Sequence, residues 1–296
     1  MDLQHLRVLR LSNNLIGFYD GRIPGLRYAP GPNWVDDGAL TLGICSYALV
    51  DGSDAIVYDT HISVEHAAAI RRALERLGAR HIVVVLSHWH LDHVAGNEAF
   101  ADCEIVASRL TGDVLTRERA AIEAGTSGEG PPAISPLVPP TTVFEGQTSF
   151  AAGRLQVTAL QFDIHTADGV VLHLPNEGLL LAGDTLEDTV TYVSEPESLD
   201  THLGELERLR RLKAARIYPN HGSPRVLVTS GYSEGLIRAT QQYTRDLLRV
   251  LRDPNLAALD LRAFVADSLN AGWITYFEPY ERVHESNLAE VARTAR

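Results

Sequence analysis

Four side chains able to bind a metal fall within six positions of the run Leu86-Ser87-His88-Trp89-His90-Leu91-Asp92-His93: His88, His90, Asp92 and His93. Imidazole and carboxylate suit zinc, and also iron or manganese. The run leaves an apolar stretch, 82–86, that reads as a strand buried on both faces. A loop at a strand end can aim His88 and His90 at one ion, and Asp92 and His93 at another. On a core strand the same alternation would bury polar groups without partners, which is costly. On a solvated loop nothing would require it. Trp89 should alternate away from the ligands and into the core.

Elements on either side must hold this loop. Residues 40–50 are rich in β-forming types and end at Asp51-Gly52, a turn signal, so 55–58 should pair back as a hairpin. Residues 63–77 read as a helix, capped by Ser63, with Ile70, Ala73, Leu74 and Leu77 on one face. A short strand is expected at 104–107 and a helix at 111–124. The stretch 125–140, dense in Gly, Pro and Ser, reads as a loop. Strands resume at 155–162, 170–174 and 179–182, followed by a helix at 199–212 and a strand at 216–218. From 233 onward the pattern is helical. Strands before helices in both halves imply sheets packed face to face with helices outside.

Four more segments match the first in chemistry and order: Val57-Tyr58-Asp59-Thr60, Ile164-His165-Thr166, Gly183-Asp184 after an apolar run, and Asn220-His221-Gly222 after Ile217. Together with His-x-His-x-Asp-His they resemble the signature of the metallo-β-lactamase superfamily, over roughly residues 40–222. The resemblance implies an α/β fold, the four-layer αββα sandwich of that family. It implies a catalytic domain over 1–232, with 233–296 a helical segment packed on the same domain. It further implies that His88, His90 and His165 hold one metal, Asp92, His93 and His221 a second, and that Asp184 bridges them. Asp59 would orient the ligands from behind. Two divalent ions are expected, zinc first, with manganese or iron as alternatives. The family often has Gly before the third His, where this chain has Ile164, so the local loop shape should differ.

Two such ions can share a hydroxide, a strong nucleophile at neutral pH. The resemblance therefore implies hydrolysis of a small ester, lactone, thioester or amide, with Asp92 carrying the proton to the leaving group. Residues just after the bridging Asp tend to face substrate in this family. Tyr192 is accordingly a candidate hydrogen-bond donor to the developing oxyanion, with a structural role equally open. Residues 17–22 and 125–140 are candidate lids. Competing readings are a mononuclear iron persulfide dioxygenase, a phosphodiesterase, and a non-catalytic binding protein on the same fold.

The chain has 296 residues and a formal net charge of −12, from 26 Lys and Arg against 38 Asp and Glu. Such a balance repels nucleic acid on average, so a small-molecule substrate is expected. The arginines around 208–216 read as a solvated helix face. No window approaches the run of about 18 apolar residues that spans a bilayer, and the N-terminus lacks a signal-peptide core. A cytoplasmic location without membrane contact is expected. Cys45 and Cys103 read as free buried thiols. His61, two residues after Asp59, reads as a surface or hydrogen-bonding residue, with a place lining the site as the alternative, and His5, His66, His81, His173, His202 and His284 read as ordinary ones. The aromatic tail (Trp273, Tyr276, Phe277, Tyr280) is expected to pack on its own core, with a homodimer as the alternative.

Overall fold

Asp51 and Gly52 reverse the chain as the turn signal requires: β3 (Ile44–Asp51) and β4 (Asp54–Tyr58) pair antiparallel, Tyr47 opposite Tyr58. The computed structural model describes residues 1–294; the last two residues of the expected 233–296 segment lie outside the described residues. The chain divides into two units, 1–161 and 162 onward.

In the first unit, β1 (Arg7–Arg10), β2 (Leu15–Asp20), β3, β4, β5 (His81–Val85), β6 (Glu104–Ser108) and β7 (Thr142–Phe144) lie in one sheet in that order. Neighbours are antiparallel from β1 to β4 and parallel from β4 to β7. Parallel pairing needs crossovers. Helix α1 (Val64–Arg76) connects β4 to β5, and α3 (Arg109–Ala124) connects β6 to β7. The short α2 (Leu91–Val94) lies in the metal-loop run itself. Ser63 caps α1, its hydroxyl accepting from the His66 N–H, and Ile70 and Leu74 are fully buried with Val57, Val84 and Ile105 of the sheet. Each such side chain contributes about 1.5–3 kcal/mol by leaving water. Strands β8 (Gln147–Ala152) and β9 (Leu155–Gln161) form an antiparallel hairpin.

Residues 17–22, a candidate lid in the sequence, are no lid: 17–20 belong to β2, an inner strand whose six residues are all buried. The strand was not legible because Gly17 and Asp20 interrupt the apolar run that marks a strand buried on both faces, and no alternation replaces it. Loop 125–140 has no regular structure but is tied down. The Trp34 indole donates to the Pro132 carbonyl, Asn97 Nδ2 donates to the Val138 carbonyl, and Leu137 is buried. Cys45 is buried, and burial pushes its thiol up to about 12. Cys103 is only partly buried, a departure from the expected pair of buried thiols.

In the second unit, β10 (Val170–Leu174) pairs antiparallel with β11 (Leu179–Gly183), and β11 pairs parallel with β12 (Arg216–Pro219). The crossover carries α4 (Leu199–Arg210). After α5 (Pro224–Thr229) comes α6 (Glu234–Val250), which packs along α4 and buries Leu236, Ile237, Tyr243 and Leu247. The short α7 (Pro254–Ala257), α8 (Leu261–Phe264) and α9 (Ala266–Asn270) lead to α10 (Tyr280–Thr294). Among the described residues no helix is long and apolar enough to cross a membrane.

Candidate metal centre

All the candidate ligands but His165 grow from the carboxyl ends of parallel strands, where side chains and loops are free to converge. In the first unit Asp59 follows β4, and the run from Ser87 to Gly96 follows β5. Asp59 sits in the left-handed region, φ 66°, a conformation that costs a non-glycine residue about 1–2 kcal/mol. The turn aims its carboxylate back under the loop. Oδ1 accepts from the Ser87 N–H at 2.6 Å, and Oδ2 accepts from His93 Nδ1 at 2.9 Å. His93 is thereby fixed with Nε2 carrying the lone pair, the form a metal takes. Ser87 Oγ lies 2.9 Å from His88 Nδ1 and so holds the His88 ring in the same way. Behind the loop Gly96 is required by space, since a Cβ there would lie 2.1 Å from the Thr60 carbonyl oxygen.

The donor atoms are drawn together within this unit. His88 Nε2 is 2.9 Å from His90 Nδ1, and His93 Nε2 is 3.4 Å from Asp92 Oδ1. His88, His90 and His93 are buried, and the Asp92 side chain is nearly so. Trp89 lies edge-on to His90 and packs against the core. His61, expected at the surface or in a hydrogen bond, is fully buried and stacked on His66 at 4.6 Å. Burial holds its imidazole well below the usual histidine range. His66 is itself held, Asp20 Oδ2 accepting from its Nε2 at 3.0 Å.

In the second unit Asp184 follows β11 and His221 follows β12, and Asp184 Oδ2 lies 3.3 Å from His221 Nε2. His165 has φ 69°, at the tip of a turn bracketed by an Ile164–Thr166 bridge. The missing glycine before it is thus answered by a histidine that itself takes the left-handed conformation. The Tyr192 carbonyl accepts from His165 Nδ1 at 2.8 Å and leaves Nε2 for a metal. The rings of Tyr192 and His165 lie 6.1 Å apart, edge to face.

Several residues that support this set have no local sequence signal. Asn287 on α10 donates to the Thr191 carbonyl and accepts from the Val193 N–H, clamping the segment whose carbonyl holds His165. Glu187 accepts from the Tyr192 N–H and from the Tyr280 hydroxyl. Burial, with the charge of Asp184 beside it, pushes its carboxyl up to about 8. Only the aromatic pattern of the tail hinted at such contacts.

The donor set fits a metal. Ligands of one tetrahedral ion with bonds of about 2.0–2.1 Å lie about 3.3 Å apart. The three pairs stand at 2.9, 3.4 and 3.3 Å, the last two too long for good hydrogen bonds. Imidazole nitrogens whose other ring nitrogen is already bonded are what zinc, manganese or iron(II) take up. Replacing Asp59 by Asn should leave His93 without its charged acceptor. Metal affinity is expected to fall roughly 10–100-fold, read by competition with a chromogenic chelator; unchanged affinity would remove Asp59 from the orienting role.

Comparison with known proteins agrees with the motifs. The family model described as the metallo-beta-lactamase superfamily matches residues 40–221. A Beta-lactamase-like protein 2 homolog of Drosophila melanogaster is 29% identical over 191 residues, 62% of this chain and 61% of that protein. The chain thus aligns to about three-fifths of that relative's length. A hydroxyacylglutathione hydrolase of Brucella ovis is 30% identical over 126 residues, 42% of this chain and 41% of its own. Among solved structures, a metallo-beta-lactamase from Pontibacter korlensis superposes with TM-score 0.61 at 20% identity, covering 81% of this chain and 99% of its own. That likeness shows the fold, an α/β fold of the type expected from the sequence.

Proposed function

The chain belongs to the metallo-β-lactamase superfamily, and from that membership we propose that it is a metal-dependent hydrolase with two divalent ions, acting on a small ester, lactone, thioester or amide. The observation that carries the reading is the paired spacing of donors, with the rings of His88, His93 and His165 braced from behind. His88, His90 and His165 are assigned to one ion, Asp92, His93 and His221 to the other, and Asp184 to both. The name of the Brucella relative, a hydroxyacylglutathione hydrolase, supports an acyl substrate.

When bound, two such ions supply an activated water near pH 7 and Lewis acidity toward the attacked oxygen. The chain's own residues do the rest. Asp92 accepts a proton at Oδ2 and passes it to the leaving group. Ser87, Asp59 and the Tyr192 carbonyl keep the imidazoles aimed, so no reorganisation is needed during the reaction. The Tyr192 hydroxyl is assigned as donor to the oxyanion. Tyr192→Phe keeps the carbonyl that holds His165, so metal content should stay constant while kcat falls roughly 10²-fold; an unchanged kcat would leave Tyr192 with a positioning role alone.

The test is a screen of esters, lactones, thioesters, β-lactams and phosphodiesters with the metal-loaded and the chelator-stripped chain. Metal-dependent turnover of an acyl substrate is expected. Turnover confined to phosphodiesters, or turnover that survives stripping, would overturn the proposal.

A further inference from the structure

Away from the ligands assigned above, the second unit carries another group of metal-binding side chains. Asp163 lies in the turn leading to His165, Glu195 just before Pro196, and His202 in α4. They are far apart in sequence, and His202 offered no ligand-like neighbour there. In the fold, one donor atom from each lies within 4.8 Å of the others.

Two observations separate this group from an ordinary acidic surface. The His202 side chain is only 5% exposed, and its buried Nε2 has no hydrogen-bond partner. It points at Asp163 Oδ1, 3.5 Å away, which is also buried and without a hydrogen bond. At 3.5 Å the two make only a long ion pair, so neither buried atom is satisfied by a good hydrogen bond. Negative charge is also in excess. Burial and the charges of Asp163, Asp168 and Glu197 raise the Glu195 carboxyl above its ordinary range. Burial lowers the His202 imidazole below its ordinary range, against the opposing charge of Asp163.

We propose that Asp163, Glu195 and His202 form a further divalent-cation site, separate from the two-ion centre, for zinc or manganese. Two carboxylates and one imidazole are the donors these ions accept. The Asp163–His202 spacing is already close to that of two ligands on one ion, about 3.3 Å. Glu195 Oε1 accepts from the Ala167 N–H, which anchors its carboxylate. The Asp163 side chain is 34% exposed, so an ion has a way in. Asp163 and Ala167 flank His165, and a cation here would stiffen the turn that presents that ligand.

The test compares the full chain with His202→Leu and Glu195→Gln. Each is stripped with chelator, dialysed against Zn²⁺ and separately against Mn²⁺, and analysed for bound metal. The proposal predicts that the unaltered chain holds roughly one equivalent more than either variant. Because the readout is a difference, it stands whatever the occupancy of the other centre. Glu195→Gln keeps the acceptor for Ala167 and guards against misfolding of the His202 variant, with circular dichroism as the check. Equal metal content in the chain and in folded Glu195→Gln overturns the proposal.

Discussion

Replacing Asp184 by alanine should abolish hydrolysis and take much of one metal with it. Its carboxylate leaves the end of β11 and approaches His221 at 3.3 Å, in a buried setting. Loss of a residue that merely orients a ligand weakens metal binding or activity 10–100-fold; loss of a carboxylate assigned to both ions should exceed that, roughly 10³-fold or more in kcat/KM. The measurement is kcat/KM on the substrate found by the screen, alongside metal content. Asp184→Ala that keeps its activity with both metals present would remove Asp184 from the bridging role.

The largest effect on stability is expected four residues further on. Asp188 is fully buried. Its Oδ1 accepts from the Thr275 N–H at 2.7 Å, and its Oδ2 accepts from the hydroxyls of Tyr232, at 2.6 Å, and Thr275. One carboxyl thus ties the loop after Asp184 to the segment before α10 and to the segment between α5 and α6. Asp188→Ala leaves these donors buried without their acceptor, each costing about 1–3 kcal/mol. A fall of about 10 °C in Tm is expected for a loss of 3–5 kcal/mol. Asp188→Asn keeps an oxygen for the Thr275 N–H, and hydroxyls can rotate to accept from the amide, so its loss should be less than half. Calorimetry of both variants decides. An alanine variant as stable as the parent would mean that Asp188 bears no structural load.

How much of this could be read from the chain depended on distance along it. His88, His90, Asp92 and His93 were legible because four donors crowd one strand end, a local pattern with no good alternative explanation. Asp59, His165, Asp184 and His221 were legible only through the family's order of motifs, since each alone is one polar residue after an apolar run. The hairpin at Asp51-Gly52 and the Ser63 cap are likewise local and were readable. The strand at Leu15–Asp20 is illegible because Gly17 and the buried Asp20 break its apolar run, while burial on both faces removes any alternation. The supports of the second ligand set were beyond reach. Asn287 grips Val193 across 94 positions and Tyr280 reaches Glu187 across 93, pairings that only the tertiary fold creates. His202 carries no local signal for the same reason, as Asp163 and Glu195 come from other parts of the chain.

The most direct test of the two-ion centre is elemental analysis of the chain purified without added metal, in the His202→Leu background so that the further site is not counted. About two zinc or manganese ions per chain are expected. About one iron with little zinc would contradict the two-ion centre: Asp92, His93 and His221 would then not be metal ligands, and a mononuclear iron dioxygenase would take the place of the hydrolase.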